Sequence, residues 1–241
     1  MERVLVGEIM DGPEVSPDEM REALAFIRAV NRRLGGAAAL IRHLEAWSRS
    51  WPKGRPITLL DIGTGSADIP VAVRRWGEAQ GHDIRITATD VHPVTLALAR
   101  EHVGKTPGIE VTELDALAMR ETLKPWSFDY VHAGMFLHHL KEIQILTVLA
   151  GMERVATRGV VWNDLVRSRL NLACITLMTL STREIIRHDA RASVRAGFTR
   201  REVVGYAQRT DLTYCRYRAS LFTGRFTLAG ERPGAWTREG V

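Results

Sequence analysis

The chain has 241 residues, which is enough for one substantial α/β domain but short for two. Its hydrophobic fraction of 45% and charged fraction of 25% are those of a globular protein, so disorder is excluded as the default. The formal net charge of +5 comes from scattered basic residues without a basic block, which argues against a nucleic-acid partner.

The cysteines and the hydropathy of the sequence indicate the cellular compartment in which the protein is expected. Cys174 and Cys215 lie in apolar or strand-like surroundings without metal-site spacing, so we expect two buried thiols in a reducing compartment. The first residues lack the pattern of a signal peptide, and the longest apolar stretch, 170–180, is too short to cross a bilayer. The sequence therefore predicts a cytoplasmic protein without a membrane span, and it leaves open whether the protein is a monomer or a homodimer.

Residues 1–56 are predicted to form an N-terminal helical cap. The sequence SPDE at 16–19 has a capping serine, a proline in the first turn and acids that suit the helix dipole. This first helix is expected to end at Gly35-Gly36, and a second helix should follow through Leu40, Leu44 and Trp47.

Residues 57–241 are predicted to form one integrated domain. Strand patterns at 57–62, 84–89, 109–114, 128–133 and 160–163 alternate with helical patterns. This alternation predicts an α/β, Rossmann-like, mostly parallel sheet with helices on both faces. Two helical patterns at about 165–198 predict a lid insertion after the fifth strand. Strands at 212–219 and 225–229 complete a predicted seven-stranded sheet.

The stretch LLDIGTGSADIP, residues 59–70, contains the end of the first strand, the turn after it and the start of the next helix. Gly63 and Gly65 let the backbone approach a ligand where open parallel sheets bind one. Asp61 and Asp68 bracket these glycines and would repel a pyrophosphate, and the third glycine of the dinucleotide fingerprint is missing. An NAD-dependent reductase is therefore disfavoured. A ligand with a sulfonium and an ammonium group but no phosphate, S-adenosylmethionine, fits the charges better.

Acidic residues after the next two strands extend the pattern. Asp90 ends the second strand, where a carboxylate with two acceptor oxygens suits two vicinal hydroxyls, and Asp115 follows the third. Together with D-x-G-x-G at 61–65, they resemble class I S-adenosylmethionine-dependent methyltransferases over about residues 20–230. Within that class, the sequence is similar to bacterial small-molecule O-methyltransferases of secondary metabolism and quinone biosynthesis.

The resemblance implies a set of cofactor-binding residues. They are Asp61, Gly63, Thr64, Gly65, Asp68, Asp90, Val91, Asp115, Ala116 and Ala133. Ala67 departs from the family, because many members have glycine there. Asn31 or Arg32 of the cap is a further candidate for contact with the cofactor's carboxylate.

The segment LHHL, 137–140, follows the fourth strand, where the transferred methyl group should lie. The resemblance implies that His138 is the catalytic base, with His139 as a second candidate; the alternative is that one of them packs or caps the next helix. His132, within the strand, is expected to be a satisfied buried residue that lines the cofactor site.

Three further residues are candidate substrate contacts. Asp164, or Asn163 beside it, ends the fifth strand and is predicted to hydrogen-bond the substrate. On the lid, His188 and Asp189 could pair with a phenol or with His138. The alternative for the lid residues is a solvated helix face. A magnesium site of the catechol type would need an acid at the tip of the fourth strand, which reads HAG, so we expect no metal.

These observations predict an enzyme that transfers methyl groups in line from S-adenosylmethionine to a hydroxyl of a small, hydrophobic, aromatic or phenolic acceptor. The apolar residues of the lid are expected to roof that acceptor. One alternative, an RNA or other nucleic-acid methyltransferase, is disfavoured because HAGMF replaces the N/D-P-P-Y/F motif of base-amine methylation. Another, a cofactor-binding protein without catalysis, stays open.

Overall fold

The computed structural model describes residues 1–12 and 15–236. Its helices are α1 (Pro17–Arg33), α2 (Gly36–Ser48), α3 (Asp68–Ala79), α4 (Pro93–Val103), α5 (Met119–Thr122), α6 (Glu142–Val155), α7 (Arg169–Met178), α8 (Glu184–Ala196) and α9 (Arg200–Arg209). Its strands are β1 (Ile57–Ile62), β2 (Ile84–Asp90), β3 (Ile109–Glu113), β4 (Phe128–Gly134), β5 (Ala156–Leu165), β6 (Arg216–Ser220) and β7 (Arg225–Glu231). Short 3₁₀ turns occur at Ile9–Asp11, Ala116–Ala118 and Leu137–His139.

The strands form one seven-stranded sheet in the order β3-β2-β1-β4-β5-β7-β6. β1 to β5 are parallel to one another, whereas β7 runs antiparallel to both β5 and β6. The predicted α/β, mostly parallel seven-stranded sheet is thus confirmed. Because the strand order reverses between β1 and β4, a crevice opens there at the carboxyl ends of the strands.

Helices cover both faces of the sheet, which explains why the central strands are apolar on both sides. One core lies under α6 and α9 and contains the fully buried Trp162, Phe198 and Phe226. The other lies under α2 and α3, where Trp51 Nε1 donates a 2.7 Å hydrogen bond to the hydroxyl of Tyr130. These cores hold the strand ends in fixed positions around the crevice.

The predicted start of the first helix is confirmed. Ser16 accepts a hydrogen bond from the backbone N–H of Glu19, and the Glu19 carboxylate accepts one from the backbone of Ser16, which is a complete capping box.

The segment before α1 packs against α8 and its flanks. Arg3 Nε donates to Ala196 O at 2.7 Å, and the Asp189 carboxylate accepts from the backbone N–H groups of Ile9 and Met10.

Two predictions for the C-terminal half need correction. β6 begins at Arg216 rather than at Leu212, because residues 212–215 form turns whose backbone groups bond to Ala207 and Leu212. Cys215 is buried as expected, and burial raises the pKa of its thiol to about 12. Cys174 is exposed instead, because it lies on α7, a helix described over its whole length with none of its residues fully buried. Within the described residues, no helix is long and apolar enough to cross a membrane.

Candidate active site

A cleft of about 480 Å³ lies at the carboxyl ends of β1, β2 and β4, at the reversal of strand order. This volume falls in the range of small-molecule sites, roughly 300–1,000 Å³. Nine of the ten predicted cofactor residues line the cleft: Asp61, Gly63, Thr64, Gly65, Asp68, Asp90, Val91, Asp115 and Ala116. Both predicted catalytic histidines, His138 and His139, line it as well.

The glycine turn has the backbone conformation that the sequence suggested. Gly63 and Gly65 have φ angles of 64° and 56°, in the left-handed region. A Cβ atom on Gly63 would lie 2.7 Å from Cγ of Phe136, so a side chain there would meet the wall of the cleft. Ala67, where many relatives have glycine, also has a positive φ of 55°, which explains the family's preference.

Asp61 is buried at the tip of β1 between two donors. Its carboxylate accepts a hydrogen bond from Thr64 Oγ1 at 2.6 Å and lies 2.5 Å from Nδ1 of His132. His132 is fully buried and lines the cleft as predicted. Only half of the ring is satisfied, because Nε2 finds no hydrogen-bond partner among the described residues. Asp61 is therefore held rigidly, with its charge beside the glycine turn.

Asp68 opens α3 and connects the turn to the cap. Its carboxylate accepts from Ser66 Oγ at 3.2 Å and from Nδ2 of Asn31 at 3.0 Å, and Asn31 in turn accepts from the buried Arg225. Burial lowers the pKa of Arg225 to about 10 despite the charges of Asp164 and Asp68. Asn31 therefore lines the cleft as a partner of Asp68, and its predicted contact with the cofactor's carboxylate stays a prediction.

Asp90 and Asp115 hold the next two loops. The Asp90 carboxylate accepts from the backbone N–H groups of Gly65, Val91 and His92, at 3.1, 2.9 and 3.1 Å. Burial raises the pKa of Asp90, although these N–H groups act against the shift. Asp115 caps the 3₁₀ turn that follows β3. The two acids thus lie on the β2–β3 side of the cleft.

The histidines lie on the opposite, β4–β5 side, with an acid from the N-terminal segment. We call Glu8, His138 and His139 the His–Glu cluster. Glu8 Oε1 lies 3.5 Å from His138 Nε2 and 3.9 Å from His139 Nε2, and Ser193 Oγ donates to the same oxygen. His138 Nδ1 lies 2.7 Å from Asp164 Oδ1. Burial lowers the pKa of His138, but Asp164 and Glu8 outweigh it and raise that pKa to about 10.

Four predicted contacts do not line the cleft. Ala133 alternates with His132 along β4, so its side chain points into the core on the other face. Asp164 is fully buried behind His138, and its carboxylate also accepts from Trp162 Nε1 and Leu165 N. It therefore has no oxygen free for a substrate.

The lid pair is corrected in the same way. Asp189 is buried because it binds the backbone of Ile9 and Met10. His188 pairs with Asp189 and faces a separate surface groove beside Arg187 and Arg191. Neither reaches His138. Sequence reasoning missed Glu8 altogether, because its approach depends on how the N-terminal segment folds across α8.

Comparison with known proteins supports the class that this geometry suggests. The profile of the family described as "Methyltransferase domain" matches residues 59–159. A ribosomal protein L11 methyltransferase of Chelativorans sp. (strain BNC1) is 34% identical over 100 residues, which are 42% of this chain but only 31% of that protein.

Among solved structures, a SAM-dependent methyltransferase from Aquifex aeolicus is similar with a TM-score of 0.58 and 15% identity over 90% of this chain and 99% of its own. PigF in complex with SAH has a TM-score of 0.61 and 19% identity over 90% of this chain and 60% of its own.

The fold, the glycine turn and the strand-end acids are those expected of a class I methyltransferase domain. Residues 59–159 match the methyltransferase-domain family, and the cofactor of the S-adenosylmethionine-dependent class is S-adenosylmethionine. The charges fit that cofactor, because Asp61 and Asp68 offer anionic groups to a ligand that carries an ammonium and a sulfonium.

Proposed function

We propose that the protein methylates a hydroxyl oxygen of a small, hydrophobic, aromatic or phenolic acceptor, with S-adenosylmethionine as donor. One observation carries the proposal: an imidazole oriented by a buried carboxylate, His138 with Asp164, faces the cleft opposite the cofactor acids. A base oriented in this way can take the proton of a hydroxyl nucleophile.

The order of the strands indicates which half of the cleft would bind the cofactor and which half would bind the acceptor. Asp90 and Asp115 follow β2 and β3 and would accept from the ribose hydroxyls and the adenine amino group. Asp61 and Asp68 would lie near the ammonium group. The sulfonium would then point toward β4 and the His–Glu cluster, where the acceptor binds.

Apolar side chains support a hydrophobic acceptor. The walls of the cleft include Met10, Met20, Leu24, Ile27, Leu117, Phe136 and Leu140. Four of these residues, Met10, Met20, Leu24 and Ile27, belong to the N-terminal part, which supports the role of residues 1–56 as a cap. Of residues 165–198, the proposed lid, Ser193 reaches the cleft, whereas Leu170 and Leu177 on α7 are more than half exposed.

The chemistry needs alignment more than activation, because the sulfonium is already a good leaving group. In-line transfer forms a bond between the acceptor oxygen and the methyl carbon and breaks the sulfur–methyl bond. The hydroxyl proton passes to His138 Nε2 while Asp164 fixes the ring through Nδ1. Because the raised pKa of His138 keeps the ring protonated at neutral pH, Nε2 must first lose its own proton to solvent, and kcat should therefore rise with pH. The apolar walls exclude water, which would compete as a nucleophile.

A methyl-transfer screen tests the proposal by detecting S-adenosylhomocysteine with phenols, carboxylic acids, amines, bulk RNA and ribosomal protein as acceptors. We expect turnover with phenols. His138→Gln should lower kcat at least a hundredfold with cofactor affinity unchanged, and His188→Gln, outside the cleft, should behave as wild type. Turnover confined to RNA or protein would refute the acceptor class. Cofactor binding without any turnover would favour a non-catalytic role.

A further inference from the structure

We infer that the His–Glu cluster is a binding site for a divalent transition-metal ion of the Zn²⁺ class. The ligand atoms of Glu8, His138 and His139 lie within 4.8 Å of one another at the surface of the cleft. A tetrahedral zinc site with bonds of about 2.0–2.2 Å separates its ligand atoms by roughly 3.3 Å. The distances of 3.5 and 3.9 Å from Glu8 Oε1 to the two Nε2 atoms therefore need only small adjustments.

The second observation is the orientation of the two rings. His138 Nδ1 donates to Asp164 and His139 Nδ1 donates to Asp11, at 2.7 and 2.8 Å. Each ring therefore directs Nε2, the atom that would hold a metal, toward Glu8. Histidines that bind metals almost always donate their other N–H to a carboxylate or carbonyl, which fixes the tautomer and makes the ligand more basic. Both histidines of the cluster have this arrangement.

Charge balance also favours a cation. The two imidazoles contact three carboxylates, Glu8, Asp11 and Asp164, and Glu8 and Asp164 have buried side chains. With both imidazoles neutral, as metal binding requires, the group has a formal charge of −3. The guanidinium of Arg3 lies nearby, but it donates to the backbone carbonyls of His138 and Leu140 rather than to these acids. A divalent ion between the three ligand atoms would offset most of this charge.

The donor set selects the kind of ion. Two imidazole nitrogens and one carboxylate are the protein ligands of many catalytic zinc sites and of non-heme iron sites, whereas Mg²⁺ and Ca²⁺ prefer sites made of oxygen. The remaining positions would face the cleft. An ion there would act as a Lewis acid on a coordinated hydroxyl. Because it would occupy the Nε2 lone pair of His138, that histidine could serve as the base only in the metal-free protein.

The inference does not depend on the acceptor proposed above. Untagged protein, stripped with chelator and dialysed, is titrated calorimetrically with Zn²⁺, Co²⁺ and Mg²⁺ salts, and Co²⁺ binding is followed by its visible absorption. We expect one equivalent of Zn²⁺ or Co²⁺ and no saturable Mg²⁺ binding. Glu8→Gln and His139→Gln should each weaken Zn²⁺ binding at least tenfold. Asp11→Asn, which alters only the partner of His139, should weaken it about 10–100-fold.

His188→Gln is the matched control, because it removes a histidine of the same protein outside the cluster. Its affinity for Zn²⁺ should equal that of wild type, and melting curves should show that every variant is folded. No saturable Zn²⁺ or Co²⁺ binding, or equal binding by the Glu8→Gln and His139→Gln variants, would overturn the inference. Methyl transfer measured with and without bound metal is a separate readout: activation by the ion would support the site and refute His138 as the base.

Discussion

Replacing Gly63 with alanine should damage the site in a way that the geometry allows us to estimate. Gly63 has a φ of 64°, and a left-handed conformation costs an alanine about 1–2 kcal/mol. The new Cβ would lie 2.7 Å from Cγ and 2.9 Å from Cβ of Phe136, atoms near the base of that side chain that cannot move away freely. Overpacking of this kind costs about 1–3 kcal/mol. The sum, about 2–5 kcal/mol, is large compared with the stability of a domain.

Denaturant unfolding and calorimetric titration with S-adenosylmethionine test this estimate. If the whole fold bears the strain, we expect the free energy of unfolding to fall by about 2–5 kcal/mol. If the glycine turn shifts to relieve the strain, we expect the cofactor Kd to rise at least tenfold. Gly205→Ala is the control, because its Cβ meets no atom within 4 Å and α9 should gain about 0.5–1 kcal/mol. If Gly63→Ala changed neither quantity by more than about 0.5 kcal/mol, the reasoning about the turn would be refuted.

Three further predictions concern the acids of the site and the acid stability of the fold. Asp90→Ala should weaken S-adenosylmethionine binding more than tenfold in calorimetry, because three backbone N–H groups lose their acceptor. The control Asp83→Ala, at the opposite end of β2, should bind the cofactor as wild type does. Equal affinities of the Asp90→Ala variant and wild type would remove Asp90 from the site. Asp164→Asn should lower kcat about 10²–10⁴-fold with little change in the acceptor's KM, and a rise confined to KM would instead indicate direct substrate contact. Burial lowers the pKa of His43 to about 4. The free energy of unfolding should therefore fall as the pH drops from about 6.5 toward 4, because only the unfolded chain binds the extra proton in that range. His43→Gln should flatten that part of a pH-dependent unfolding curve, and an unchanged slope would contradict the assignment.

The cofactor half of the site could be predicted from the sequence because it depends on local features. Asp61, Asp90 and Asp115 each lie at or just after the end of a predicted parallel strand, and the carboxyl ends of such strands meet at one edge of the sheet. The turn glycines are adjacent to the first of these acids. Strand pattern and turn chemistry were therefore enough to bring these residues together.

The acceptor half of the site was harder to predict from the sequence, because it depends on which way each side chain points. Asn163 and Asp164 both end β5, but successive residues of a strand face opposite sides, and only the structure shows that Asp164 turns toward His138. Glu8 is more than a hundred residues from His138 in the chain and lies in no regular pattern. The apolar sequence of α7 suggested a roof, yet the residues that close the cleft come mainly from the N-terminal part.

The carboxylates around the glycine turn should select a cationic, phosphate-free cofactor. Calorimetric titration of the same protein sample with S-adenosylmethionine and with NAD tests this selectivity most directly. We expect one saturable site for S-adenosylmethionine with a Kd of roughly micromolar size, and no measurable binding of NAD. Binding of NAD with equal or higher affinity, or no binding of S-adenosylmethionine, would contradict it.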